Sequence, residues 1–204
     1  VSKELELTLT GKNCGMEERA PMCGIPYHAV EGYLNKLVAN GHKVAICEQV
    51  EDPKLAKGLV KREVIRIVTP GTNLDMQALD ESKNNYIMCI VYLADRYGVS
   101  IADVSTGDYY VTEVDSERKL FDEITKFSPS EIICNESFYM SGVDIEDLRH
   151  RLKITIYALE TWYFGDELAE TTLLTHFKVK SLEALGLADY DCGMIAAGAL
   201  LKYL

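Results

Sequence analysis

The chain has 204 residues, of which 48% are hydrophobic and 26% are charged, a composition typical of globular proteins. This length suits one large or two small domains with a sizeable core, which excludes a disulfide-stapled mini-protein, a collagen-like chain and a disordered tail. The net charge of −11 comes from residues 76–204, because residues 1–75 contain ten basic and ten acidic side chains. The acidic second part is a poor surface for nucleic acid, and the balanced first part is not excluded from binding it.

The sequence carries no sign of export or of membrane insertion. Its longest apolar run, 87–94, is too short to span a bilayer, and no signal peptide is visible, so we expect a cytoplasmic protein. Cys14, Cys23 and His28 have a spacing that matches no standard zinc site. Since the chain begins with Val1, we expect a piece of a larger protein.

The first part of the chain predicts a small mixed α/β unit. Alternating leucines predict a half-buried strand over 5–9, and apolar residues at helical spacing predict a helix over 29–40. Gly41 follows where a left-handed helix cap is expected. A buried strand over 44–47 and a second strand over 64–68 complete this unit.

The second part predicts a mixed sheet with helices on its faces. Short gaps that contain glycine separate three β-rich runs, which is typical of antiparallel hairpins. The predicted elements are, in chain order, strands 86–94, 99–104 and 108–114, helix 116–127, strand 132–134, helix 144–152, strand 154–157 and helical segments 166–177, 181–185 and 190–204. We therefore predict an α/β protein whose second unit has the element order of the ribonuclease-H-like fold.

The sequence lacks a phosphate-binding loop, a dinucleotide-binding turn, a nucleophile elbow and an HExxH pair. In ribonuclease-H-like nucleases, carboxylates on the central strands hold Mg²⁺, and Asp103, Asp108 and Glu113 lie on or beside the predicted hairpins. The first strand, 86–94, lacks the carboxylate that such a site needs. A magnesium-dependent nuclease is the alternative function, while the simpler interpretation of Asp103 is a hydrogen bond to the turn at 105–107. We expect no catalytic residue, no metal site and no bound cofactor.

Three long segments stand in order along the first part of the chain. They are PMCGIPYHAVEGYL at 21–34, VAICEQVEDP at 44–53 and REVIRIVTPGT at 62–72. Together they resemble the MutS family of DNA mismatch-repair proteins, and the resemblance covers the whole chain. The second part matches more loosely, mainly through DVSTG at 103–107 and AAGALLKY at 196–203.

The resemblance implies a division of the chain into domains. Residues 1–72 resemble the C-terminal part of the mismatch-binding domain, and 73–84 form a linker. Residues 85–190 resemble the connector domain, and 191–204 resemble the start of the helix that leads to the core and lever region.

The resemblance also implies a surface for mismatched double-stranded DNA in the first unit. Met22, flanked by Pro21 and Gly24, is placed to supply an apolar contact where the backbone approaches the DNA closely. Lys12 and Arg62 are candidate phosphate contacts. The alternatives are that Met22 is an ordinary core residue and that the two cations are solvated surface charges.

The resemblance implies a relay role for the second unit. In the family this domain passes signals between the DNA-reading domain and the ATPases and presents a surface to the repair protein MutL. Thr171 and Thr172 lie in the part that resembles this surface, although an ordinary exposed helix face is the alternative. A structural spacer without a partner is a further alternative for the whole chain.

Other known parts of the family have no counterpart in this sequence. The resemblance implies that the family's Phe-x-Glu mismatch reader belongs upstream of Val1 and that its ATPase belongs beyond Leu204. We therefore expect that the chain is not itself an enzyme, that it binds DNA weakly, and that it binds mismatched and matched duplexes about equally. ATP, Mg²⁺ and homodimer formation are expected of the whole family protein, while the chain alone is expected to be a monomer. The expected location is the bacterial cytoplasm, in association with the nucleoid.

Overall fold

The computed structural model describes residues 1–15, 17–56, 58–75 and 84–204. The chain divides into two compact units, Val1–Ala78 and Leu79–Leu204. The predicted linker, 73–84, falls largely on 76–83, which lie outside the described residues.

Helix α1, Val30–Ala39, confirms the helix that was predicted in the first unit. It ends in a Schellman motif, in which Gly41 takes a left-handed φ of 82°. The amide of Gly41 donates to the carbonyl of Val38 at 2.9 Å, and the amide of His42 donates to that of Leu37 at 3.1 Å. The left-handed position that the sequence predicted is therefore filled by the residue type that takes it without steric cost.

The first unit contains two antiparallel hairpins in separate sheets. Strands β1, Thr10–Lys12, and β2, Ala20–Met22, form one hairpin. Strands β3, Val44–Gln49, and β4, Arg62–Val68, form the other and confirm the two strands predicted there.

Two expectations for the first unit were wrong. The segment 5–9 forms no strand: the amide of Leu5 donates to the carbonyl of Val1 at 2.8 Å, which closes a turn instead. The strand at 44–47 is not buried, because α1 covers only part of the β3–β4 hairpin. Leu34 and Val38 pack there against Val68, with Val44 and Ile46 partly buried beside them. The other apolar side chains of β4 are more than half exposed.

The second unit is built on a five-stranded sheet. Its strands are β5, Tyr86–Leu93; β6, Arg96–Asp103; β7, Asp108–Val114; β8, Glu131–Cys134; and β9, Thr155–Ala158. Their order across the sheet is β7-β6-β5-β8-β9, with β5, β6 and β7 antiparallel and β8 and β9 parallel to β5. The ribonuclease-H-like mixed sheet that the element order predicted is confirmed.

Helices cover both faces of this sheet. They are α2, Glu117–Phe127; α3, Ile145–His150; α4, Asp166–Phe177; and α5, Asp191–Tyr203. Helices α2 and α3 pack with one set of strand side chains, and α5 packs with the opposite set. Helix α4 lies on α5, so α5 is sandwiched between the sheet and α4.

The turn between β5 and β6 is tighter than the sequence predicted. Strand β6 begins at Arg96, which leaves only Ala94 and Asp95 to turn the chain. Both have positive φ, 48° and 58°, as in the two-residue turns whose twist matches that of antiparallel strands. The expected gap at 95–98 is thus mostly strand.

Candidate nucleic-acid and partner interfaces

The β1–β2 hairpin brings together three of the residues that were predicted to contact DNA. Lys12 of β1 lies opposite Ala20, the first residue of β2, and Pro21 and Met22 follow Ala20 on β2. The hydroxyl of Thr10 donates to the carbonyl of Met22 at 2.8 Å and fixes the end of the pairing. Two apolar residues and a cation therefore share one short hairpin.

The apolar residues of this hairpin are exposed to solvent. The side chain of Met22 is 45% exposed, so it is not the core residue that was the alternative interpretation. Pro21 and Gly24 are exposed as well. A Cβ built on Gly24 would meet no atom within 4 Å, which leaves its backbone open to a close approach from outside.

The two predicted phosphate contacts lie on different hairpins. Arg62 is the first residue of β4, opposite Gln49, and its guanidinium donates to the carbonyl of Val60 at 3.3 Å. It belongs to a different sheet from Lys12. The sequence reasoning missed Arg19, whose exposed side chain donates to the carbonyl of Gly11 and adds a second cation to the β1–β2 hairpin.

The residues expected to face MutL lie on α4. Thr171 is exposed, as is Glu170 before it, whereas Thr172 is half-buried. Ala169 and Leu173 are buried on the opposite side of the helix. Of the two threonines, Thr171 offers more of its surface to a partner.

The carboxylate of Asp103 is engaged by the protein itself. It is buried and accepts hydrogen bonds from the amide and the hydroxyl of Ser105 at 2.8 and 2.6 Å. The amide of Asn85 donates to its other oxygen at 3.1 Å. This confirms that Asp103 binds the following turn.

The other two acidic candidates for a metal site also have protein partners. Asp108 accepts the hydroxyl of Thr106 at 2.9 Å, and Glu113 accepts the amide of Gly193 at 2.9 Å. Glu113 thereby satisfies a free amide in the first turn of α5, where a negative charge is favourable. Within the described parts of the chain, no three His, Cys, Asp or Glu side chains stand close enough together to share a metal ion.

None of the described helices combines the length and the apolar character needed to cross a bilayer.

Comparison with known families places both units in one kind of DNA-repair protein. Residues 1–77 match the family model of MutS domain I, and residues 85–204 match that of MutS domain II. The chain belongs to the MutS family of DNA mismatch-repair proteins. The domain II match extends to the end of α5 and so includes 191–204, while the domain boundaries drawn from the sequence stay predictions.

Individual relatives agree with the family match. The chain is 64% identical to the DNA mismatch repair protein MutS of Lachnoclostridium phytofermentans. It is 48% identical to that of Acetivibrio thermocellus and 46% identical to that of Ruminiclostridium cellulolyticum. Each match covers 100% of this chain but only 22%, 23% and 23% of the respective relative. The chain thus spans less than a quarter of the length of these relatives.

Proposed function

We propose that this chain contacts mismatched double-stranded DNA through its first unit and relays that contact to a protein partner through its second unit. The observation that carries the proposal is the short β1–β2 hairpin, which holds the exposed residues Lys12, Pro21 and Met22, in a chain of the MutS family. The chain catalyses no reaction and holds no cofactor of its own. ATP hydrolysis with Mg²⁺ and dimer formation belong to the remainder of a full-length MutS protein, which works in the cytoplasm at the nucleoid.

The chemistry of the β1–β2 hairpin suits a distorted duplex. A mispaired step unstacks at low cost, and apolar side chains at such steps stabilise a kinked duplex. Met22 supplies the apolar side chain, and the open backbone at Gly24 allows a close approach. Lys12 and Arg62 contact phosphates, which adds affinity without sequence preference.

Fluorescence anisotropy with a labelled heteroduplex and the matching homoduplex tests this DNA contact. We expect weak binding to both duplexes. For Met22→Ala we expect a loss of about three- to tenfold in affinity, which corresponds to the removal of one apolar contact. Met140→Ala is the matched control, since Met140 is an 85% exposed methionine of the second unit. An equal loss in the two variants, or a strong mismatch preference of the chain itself, would contradict the proposal.

The second unit is proposed to dock MutL through the exposed face of α4. Thr171 and Glu170 lie on this face, and the acidic character of the second unit favours a protein partner over a duplex. In this docking the chain acts as a monomer, which sedimentation analysis would report directly.

Site-specific crosslinking to the ATPase domain of a cognate MutL tests the docking surface. We expect a complex whose yield falls at least fivefold in Thr171→Lys, because a single disfavoured contact costs about 1 kcal/mol or more. Thr125→Lys, on the exposed side of α2, is the control. Absence of a complex with the folded chain, or equal losses in both variants, would overturn this part of the proposal.

A further inference from the structure

Helix α5 is hydrogen-bonded to the sheet along most of its length. Three side chains of β6 and β7 reach its backbone, one in the first turn and two in the middle. These bonds are Gly193 N to Glu113 Oε1 at 2.9 Å, Ser100 Oγ to Ala196 O at 2.7 Å and Tyr109 OH to Ala197 O at 2.5 Å.

A separate cluster of side chains holds the last turn of α5. Tyr203, at the end of the helix, donates its hydroxyl to Oε1 of Glu131 on β8 at 2.8 Å. Tyr157 on β9 donates to the same oxygen, and the two tyrosine oxygens lie 2.9 Å apart. One fully buried carboxylate therefore joins three elements of the second unit.

The chemistry of this cluster favours a fixed arrangement. Burial, and then the Glu131 carboxylate beside it, raise the pKa of Tyr157, so its hydroxyl remains a donor at neutral pH. A carboxylate inside a protein binds such donors strongly, because water is not there to replace them. The last turn of α5 is consequently fastened to both β8 and β9.

Helix α4 follows the position of α5 through a close contact of small residues. Gly198 lies against Ala169 of α4 so tightly that a Cβ on Gly198 would come 2.3 Å from the Cα of Ala169. Gly198 is five residues before Tyr203, within two turns of the helix. A shift of the end of α5 therefore displaces α4 as well.

We propose that Glu131, together with Tyr157 and Tyr203, is a positioning group that sets the place of the exposed face of α4 through α5. The proposal rests on the proposed function in one respect, namely that this face is the partner surface. Glu131 does not touch the partner. It acts by holding α5, on which α4 is seated.

Hydrogen exchange of the intact chain, followed by mass spectrometry, tests the positioning. Tyr203→Phe removes one hydrogen-bond donor and keeps the ring. We expect the exchange rate to rise about tenfold in the last turns of α5 and also in α4, because the loss of one hydrogen bond to a charged group changes a local opening equilibrium by about that factor. Tyr110→Phe is the control, because Tyr110 is a 44% exposed residue of β7 that packs against Phe127 of α2. Faster exchange confined to α5, or the same change in the control, would overturn the proposal.

Crosslinking to the MutL ATPase domain separates this inference from the proposed function. If Thr171→Lys abolishes the complex and Tyr203→Phe reduces its yield severalfold, both stand. If Tyr203→Phe leaves the yield unchanged while Thr171→Lys abolishes it, the positioning role fails and the docking surface stands. If the unaltered chain forms no complex, the docking surface fails, and hydrogen exchange alone decides whether Glu131 positions α4.

Discussion

Gly98 of β6 lies against the first turn of α5, where a Cβ on it would come 2.1 Å from the carbonyl carbon of Cys192. The sequence predicted Gly98 in the gap between the first two strands of this unit, whereas the structure places it within β6. In the structure, this position allows the backbone of α5 to approach the sheet more closely than any side chain would permit.

Gly98→Ala should destabilise the second unit by about 1–3 kcal/mol, because the new methyl group must push α5 away from the sheet. Urea unfolding, followed by circular dichroism, measures this loss. Gly165→Ala serves as the control, because a Cβ there would make only ordinary contacts at 3.9 Å. Unfolding midpoints that coincide for the two variants would show that α5 does not pack this closely against Gly98.

Glu113→Gln should lower the free energy of unfolding of the second unit by about 1 kcal/mol, because it weakens the attachment of α5 to the sheet. The side-chain amide oxygen of this variant would still accept the bond from Gly193, but the negative charge at the start of the helix and the ion pair with Arg96 at 3.6 Å would be lost. The free energy of unfolding measures the effect. Asp122→Asn, an exposed change on α2, should leave it unaltered. A neutral result for Glu113→Gln would mean that its charge does not act on α5.

The second unit should lose stability at alkaline pH. Burial raises the pKa of the Cys134 thiol from 9.0 to about 12, and burial also raises the pKa of Tyr109. Both pKa values are higher in the folded state than in the unfolded state. The full stability of the second unit is therefore present below the unfolded-state pKa values. It decreases as the pH rises from the unfolded-state pKa values through the folded-state pKa values.

Urea midpoints at pH 7, 9 and 10.5 measure this alkaline loss. The midpoint should fall steadily above pH 9, and Tyr109→Phe should reduce the slope of that fall, since one of the titrating groups is removed. Tyr110→Phe should leave the slope as it is. A midpoint independent of pH over this range would contradict the raised pKa values of Cys134 and Tyr109.

Lys12→Ala and Arg62→Ala should each reduce the salt dependence of DNA binding. If each side chain neutralises one phosphate, the slope of log affinity against log salt concentration changes by about 0.9 in each variant. Anisotropy titrations between low and moderate salt give this slope. Lys126→Ala, on α2 of the second unit, is the control and should leave it unchanged. A slope unaltered by Lys12→Ala would remove Lys12 from the interface.

Sequence patterns predict most of the second unit because its elements are long and strongly periodic. The short gaps between 86 and 114 predict the antiparallel strands β5, β6 and β7, and helices α2, α4 and α5 lie within about two residues of their predicted bounds. In the first unit, β1 and β2 have three residues each, which is too short for periodicity to show. The alternation over 5–9 predicted a strand, but Leu5 is instead buried in a turn over 2–6, and 7–9 are irregular.

The contacts that organise the sites could not be read from the sequence. Glu113 and Gly193 are 80 residues apart, and Glu131 and Tyr203 are 72 apart. Only the order of the strands and the path of α5 bring them together. Met22, by contrast, was singled out from its proline- and glycine-bounded segment, and its exposure agrees with a role at the surface.

The first unit has a thin core, and this has a thermodynamic consequence for any ligand bound there. Among its described residues, the buried apolar side chains are Leu5, Leu34, Val38 and Val68. With so few buried apolar contacts, the first unit is expected to open locally at a low cost in free energy, and a ligand would reduce this opening. Calorimetry of binding at this hairpin should therefore show a favourable enthalpy opposed by entropy, with a negative heat-capacity change as exposed apolar surface is covered.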